Sequence, residues 1–477
     1  MKKIILLNLI FSSFILQSQT TCDNGMAASF PCNGYDLLSH IPLSTFNAAE
    51  GSDSWGWTDH TNNKEYALMA LNTGVAFIDI SDPINPIYLG QLPSAAGQST
   101  WRDVKVYKNH AYVVSDFVNI GNHGMQVFDL TRLRNVTNPP ETFTVDARYT
   151  GFGNAHNIVI NEQSGYAYAV GTSTFEGGPH FIDIRDPKNP VAAGGFISSG
   201  SVAYSHDAQV ITYNGPDTEH VGKEILIGSN IIEIVIADIT DKANPQVLST
   251  ISYSDVGYTH QGWFTEDQRY FLLGDEADEA TVGFNTRTII FDFEDLDNPV
   301  FHMNYSGPTT ATDHNGYVKG DKFYLSSYRA GLRVMDISDI ANKNITEIGY
   351  FDSFPSSDSA TQNGAWSVYP YFESGNIVIS DIESGFFLVR PTNTLSVDDF
   401  ETKSNFAMYP NPASSAITID GINTFDLKKI EIFNVVGKKM KEITKFDNSN
   451  SITINLEYDP GIYLLRINDV TKKLIIN

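Results

Sequence analysis

The sequence predicts an all-β protein: a seven-bladed β-propeller followed by a small C-terminal β-sandwich. Three observations carry that prediction. A strand motif centred on Asp recurs through the middle of the chain, seven times if a degenerate last copy is included, at spacings near 50 residues. Between recurrences lie short runs of alternating apolar residues and no stretch periodic enough for a long helix. The composition then changes over the last 80 residues. From Asp398 to Asn477, ten Lys plus Arg stand against eleven Asp plus Glu, so nearly all of the formal charge of −25 belongs to the central region.

The N-terminus reads as a secretory signal peptide over residues 1–18. Lys2 and Lys3 precede a 13-residue apolar run, Ile4 to Leu16, and then polar residues. Such a run is too short for a hydrocarbon core of roughly 30 Å, and no later stretch is long enough, so no transmembrane segment is expected. Gln19-Thr20-Thr21 before Cys22 lacks the small and apolar residues of a lipobox. The expected destination is the outer cell surface or the medium. In that oxidising setting Cys22 and Cys32, the only cysteines, most simply close one short disulfide loop. They lie in an N-terminal segment, 19–50, in which Leu37 to Phe46 is expected to supply a strand that closes the propeller ring.

The propeller is expected over 51–391. Phe77-Ile78-Asp79-Ile80-Ser81-Asp82-Pro83 recurs as Phe181-Ile182-Asp183-Ile184-Arg185-Asp186-Pro187 and as Ile236-Ala237-Asp238-Ile239-Thr240-Asp241. Weaker copies centre on Asp129, Asp292 and Asp336, and a degenerate one on Arg390. A unit of a few short strands cannot bury both of its faces alone, and stacking units around an axis completes the core. The repeated Asp residues are expected to anchor turns through side-chain-to-backbone hydrogen bonds rather than to act as catalytic acids.

A linker is expected at 392–404 and the second domain at 405–477. That domain opens on Tyr409-Pro410-Asn411-Pro412, turns at Asn434-Val435-Val436-Gly437, and runs Gly461-Ile462-Tyr463 into a last strand carrying Lys472-Lys473. With these residues it resembles the C-terminal sorting domain of the type IX secretion system of Bacteroidetes. The resemblance implies that Tyr409, Pro410, Asn411, Pro412, Gly437, Gly461, Tyr463, Lys472 and Lys473 form a sorting signal read by the type IX machinery. The central units resemble the LVIVD repeat. The whole body from Cys22 to about Pro391 is similar to the choice-of-anchor B family of secreted proteins. The matching motifs are Tyr35-Asp36-Leu37-Leu38-Ser39, Ser205-His206-Asp207, Tyr213-Asn214-Gly215-Pro216-Asp217, Gly274-Asp275-Glu276-Ala277-Asp278-Glu279 and Asp313-His314-Asn315. That family implies surface attachment and no established reaction.

Two constellations are candidates for chemistry. His156, His206, His260 and His314 recur at one repeat position, each opening its unit where the strand nearest the axis begins. Four convergent imidazoles are a ligand set for a transition metal. The alternative is a hydrogen-bond network between units, because the residue after each histidine is Asn, Asp or Gln. Arg102, at the corresponding position of another unit, would repel a cation there. The second constellation is Asp275, Glu276, Asp278 and Glu279, whose oxygens are candidate calcium ligands, unless Arg287 neutralises them. No nucleophile elbow, zinc-protease helix, phosphate loop or nucleotide fingerprint occurs. The acidic surface excludes nucleic acid as a partner. The sequence therefore predicts a secreted propeller that binds a glycan or protein ligand, using aromatics such as Trp55, Trp57, Trp263 and Trp366. The alternative is a metal-dependent oxidoreductase or lyase built on the four histidines.

Overall fold

Short alternating strands carry two apolar faces, and among the described residues the larger part of this chain buries both by distributing them over seven separate sheets. In the computed structural model the described residues are 19–116, 121–197, 202–392, 407–420, 429–434, 438–444, 451–467 and 470–477. The expected signal peptide, the linker from 393 to 404, and Gly437 lie outside the described residues. The chain divides into two compact units, Met1–Thr392 and Asn393–Asn477. Among the described residues no helix is long and apolar enough to cross a membrane.

The larger unit holds sheets I to VII, whose first strands are Gly51–Asp59, Arg102–Tyr107, Asn157–Asn161, Asp207–Thr212, Thr259–Phe264, Gly316–Lys319 and Ala365–Tyr369. Each is followed by antiparallel neighbours in chain order. Sheet VII obtains its fourth strand from the other end of the unit: Tyr35–Ile41 pairs antiparallel with Gly385–Pro391. The expected closing strand thus begins two residues before Leu37, and Leu43–Phe46 forms a single helical turn instead. The first strands pack side by side in cyclic order, that of sheet VII returning to that of sheet I.

Strand alternation explains this packing. Along Lys64–Leu71, Tyr66, Leu68 and Ala70 face a core shared with sheet II, whereas Ala67, Met69 and Leu71 face a core shared with sheet VII. Among the described residues the same division gives an apolar cluster at each of the seven boundaries between neighbouring sheets. Phe77 and Phe128 stack across the first boundary with ring centroids 4.6 Å apart. Truncating either to Ala costs about 3–5 kcal/mol by the usual price of a core cavity.

The recurring Asp ends the third strand of its sheet. Asp79, Asp129, Asp183, Asp238, Asp292 and Asp336 each accept a hydrogen bond from the backbone N–H two residues later, at 2.9–3.1 Å. These bonds turn the chain toward the fourth strand. The disulfide Cys22–Cys32 is formed. It ties down Phe30–Asn33, whose last two residues add to the edge of sheet VI beside Phe351 and Tyr350.

The smaller unit has a three-stranded and a four-stranded sheet, which share one core including Ile417, Ile432, Ile454, Leu465 and Leu474. Asn411 fastens its last strand. The side-chain amide donates to the Lys473 carbonyl at 2.8 Å, and its oxygen accepts from Ile475 N–H at 2.8 Å. The Tyr463 hydroxyl donates to the Asp459 carbonyl, and Gly461 opens the strand that pairs with the terminal one.

Candidate functional site

The four repeated histidines stand at the starts of the first strands of sheets III, IV, V and VI. The backbone N–H groups of His156, His206 and His314 donate to carbonyls at the far end of their own second strands, those of Val170, Ser229 and Ser326. Because the first strands are neighbours, this shared register brings the imidazoles together. Ring centroids are 4.2 Å apart for His156 and His206, 4.3 Å for His206 and His260, and 4.4 Å for His260 and His314. Trp366 of sheet VII follows His314 at 4.9 Å. Gly171 keeps the first position open, since a Cβ there would lie 2.6 Å from the His156 Cβ.

Arg102 does not join this arc. Its guanidinium donates to the Leu71 carbonyl and the Ser94 hydroxyl and meets His123 Nε2 at 2.9 Å. The expected repulsion of a cation is corrected accordingly: these contacts turn the side chain toward sheet I and the His123 loop. His123 Nδ1 bonds the Gly124 carbonyl, so Nε2 accepts from Arg102. Burial and the guanidinium hold this imidazole down to about 3.

Three of the arc histidines spend Nδ1 on an outer partner. His156 Nδ1 bonds Asp116 Oδ2 at 3.0 Å, His206 Nδ1 the His260 carbonyl at 3.4 Å, and His314 Nδ1 the Trp366 carbonyl. The carbonyl partners of His206 and His314 call for a proton on Nδ1, which directs Nε2 of each ring away from these bonds. Burial pushes the His206 and His260 imidazoles well below their ordinary value and His314 to about 4, so these three rings are neutral at pH 7.

The acidic run divides between two environments. Asp275 is buried and accepts from the Tyr253 hydroxyl and from the N–H groups of Gly257, Tyr258 and Ala277. Asp278 is paired with the Arg287 guanidinium, and Glu279 accepts from the Arg287 N–H at 3.1 Å. Glu276 turns the other way. Its Oε2 lies 3.5 Å from His260 Nε2 and its Oε1 3.8 Å from His314 Nε2. The four carboxylates expected to share a calcium ion are therefore not gathered at one point, and Glu276 belongs with the histidines. Burial raises the Glu276 carboxyl to about 7. Glu276, Asp116 and Tyr328 were not singled out for the histidine cluster by sequence. The first is adjacent to Asp275 but lies in the turn just past the strand Tyr270–Asp275, where the Tyr328 hydroxyl holds its carboxylate.

The same first strands line a cavity of about 510 Å³ at their other ends. All seven sheets contribute, with Trp55, Lys105, Asn161, Gln209, Trp263, Val318 and Tyr369 among its walls. The Lys105 ammonium is bonded to Asp53 and Asp103 and lies 4.7 Å from the Trp55 ring centroid. Trp55 meets Tyr317, Tyr369 and Tyr371 edge-on or tilted, and Trp263 meets Tyr317 edge-on.

Residues 407–477 match the family described as the secretion system C-terminal sorting domain. The second unit is similar to that sorting domain over these residues. It supports export by type IX secretion to the cell surface or the extracellular space, and engagement of that machinery. No curated protein matches the chain. Among solved structures, Kuenenia stuttgartiensis hydrazine synthase is similar at 13% identity and TM-score 0.48, covering 69% of this chain and 92% of its own. The Pseudomonas aeruginosa periplasmic gluconolactonase PpgL has 11% identity and TM-score 0.44, with 63% and 88% covered. The β-propeller domain of Myceliophteria thermophila Cps50 (Swd1) has 9% identity and TM-score 0.43, with 72% and 98% covered. None of these brings an activity to this chain.

Proposed function

We propose that this chain is a secreted or surface-displayed seven-bladed β-propeller that binds a small ligand in its axial cavity. The cyclic packing of sheets I to VII supports the blade number, and the two sheets around one core support a C-terminal sandwich. The Asp-centred motifs support the LVIVD repeat and the choice-of-anchor B family, and residues 1–18 a cleaved signal peptide. The observation that carries the function is the composition of the cavity. Its aromatic faces, Trp55, Trp263, Tyr369 and Tyr371, stand beside the amides of Asn161, Gln163, Gln209 and Gln268. Aromatic faces with adjacent amide donors and acceptors suit a polar ring-shaped ligand such as a glycan unit.

Calorimetric titration with a panel of neutral oligosaccharides tests this reading. The wild-type chain is expected to bind at least one of them, and a Trp55→Ala/Trp263→Ala variant to lose that binding at least tenfold. No binding, or equal binding by the variant, overturns the reading. A second reading, a metal-dependent oxidoreductase or lyase, is favoured by the arc of four histidines and depends on a metal ion bound there.

A further inference from the structure

At the starts of the first strands, ligand atoms of His206, His260 and Glu276 all lie within 4.8 Å of one another. His260 Nε2 is 3.5 Å from Glu276 Oε2. Donors around a tetrahedral ion at roughly 2.0–2.1 Å stand about 3.3 Å apart, so that pair is already near ligating separation. His260 Nδ1 is buried and has no hydrogen-bond partner. His206 and His260 are 5% and 2% exposed, so a charge placed between them would be sealed from bulk water on that side. Glu276 and His156 each keep some side-chain exposure, which leaves an entry path on the other side.

We propose that His206, His260 and Glu276 bind a divalent transition-metal ion, with His156 and His314 flanking it. Two imidazoles and one carboxylate are the donor set of borderline cations such as Zn²⁺, Fe²⁺ or Mn²⁺, whereas calcium and magnesium take oxygen alone. The surroundings fit a metal site. The outer bonds of His206, His156 and His314 fix their rings with Nε2 free, and the Tyr328 hydroxyl holds Glu276 Oε1 at 2.6 Å. The carboxylate adds an oxygen donor to the two imidazole nitrogens of His206 and His260. The other mixed cluster, Asp217, His220 and Asp297, has one imidazole only, and His220 Nε2 is 2.8 Å from Asp297 Oδ2. This inference is independent of the cavity reading, because the cavity lies at the opposite ends of the strands.

The test uses the full chain, purified without a polyhistidine tag, stripped with chelator and titrated with Co²⁺. Uptake of one equivalent with visible d–d absorption is expected, and Zn²⁺ is expected to displace it. Glu276→Gln and His260→Gln are expected to weaken Co²⁺ binding by more than about tenfold, the scale on which even outer partners of ligands act. No uptake, or uptake unchanged in both variants, overturns the proposal. If either variant loses its near-ultraviolet circular dichroism, X-ray absorption of the Co²⁺-loaded wild type decides. Scattering from at least two imidazoles supports the site, and a shell with one imidazole or none overturns it.

Discussion

The Tyr328 hydroxyl donates to Glu276 Oε1 at 2.6 Å, joining the end of a strand in sheet VI to the loop that follows a strand in sheet V. Tyr328 is 1% exposed, and this bond orients the carboxylate so that its second oxygen faces His260. Tyr328→Phe removes the bond and keeps the ring. Its Co²⁺ affinity is expected to fall about 10- to 100-fold, with an unchanged circular dichroism spectrum, measured by the same optical titration. An unchanged affinity would mean that the carboxylate is positioned by other groups.

His123 is expected to make the propeller unit acid-sensitive. Its Nε2 accepts from the Arg102 guanidinium, and Arg148 lies nearby, so protonation would set one cation against others. The folded value is about 3 against an ordinary 6.5. The unfolded chain therefore takes up the proton first as pH falls. Stability from this group is complete above about 6.5 and is lost progressively down to about 3. His123→Gln keeps an acceptor for Arg102 and removes the titration. Thermal unfolding across that range should show a shallower loss of midpoint in the variant than in the wild type, and identical slopes would contradict the assignment.

Asn411 is expected to matter for export through folding of the sorting domain. Its two bonds to the terminal strand are each worth about 1 kcal/mol, and nothing in an Ala replacement restores them. Asn411→Ala should lower the amount of protein reaching the surface or medium, measured by immunoblot of cell and supernatant fractions. Asn411→Asp, which keeps one acceptor for Ile475 N–H, should fall between the two. Export equal to wild type in the Ala variant would place the sorting signal elsewhere in the domain.

Much of the architecture was legible because its causes are local or periodic. Each Asp that ends a third strand bonds an N–H two residues on, so the turn is written within three positions. Cys22 and Cys32 are ten apart and the disulfide between them closes a short loop. Apolar alternation within one strand already states that two neighbours must cover it, as Tyr66 and Ala67 do by facing different sheets. The recurrence of histidine at one register sets four rings at the starts of four adjacent first strands.

Two groupings read from the sequence, one by adjacency and one by repeat position, come apart in space. Asp275, Glu276, Asp278 and Glu279 read as one acidic patch, yet Asp275 is absorbed by backbone N–H groups, Asp278 and Glu279 meet Arg287, and Glu276 alone reaches the histidines. Arg102 read as a member of the arc, yet Leu71, Ser94 and His123 draw it away.

By itself, then, the sequence determined the repeat, the strand faces, the turns, the disulfide and the sorting tail, because each depends on spacing along the chain. Tertiary structure alone decided which carboxylate joins His206 and His260, which tyrosine holds it, and how Trp55 and Trp263 come to wall one cavity with Tyr369. Those relations depend on side-chain direction at the start or end of strands from different sheets. Such directions are set by packing across sheet boundaries, which no spacing in the chain encodes.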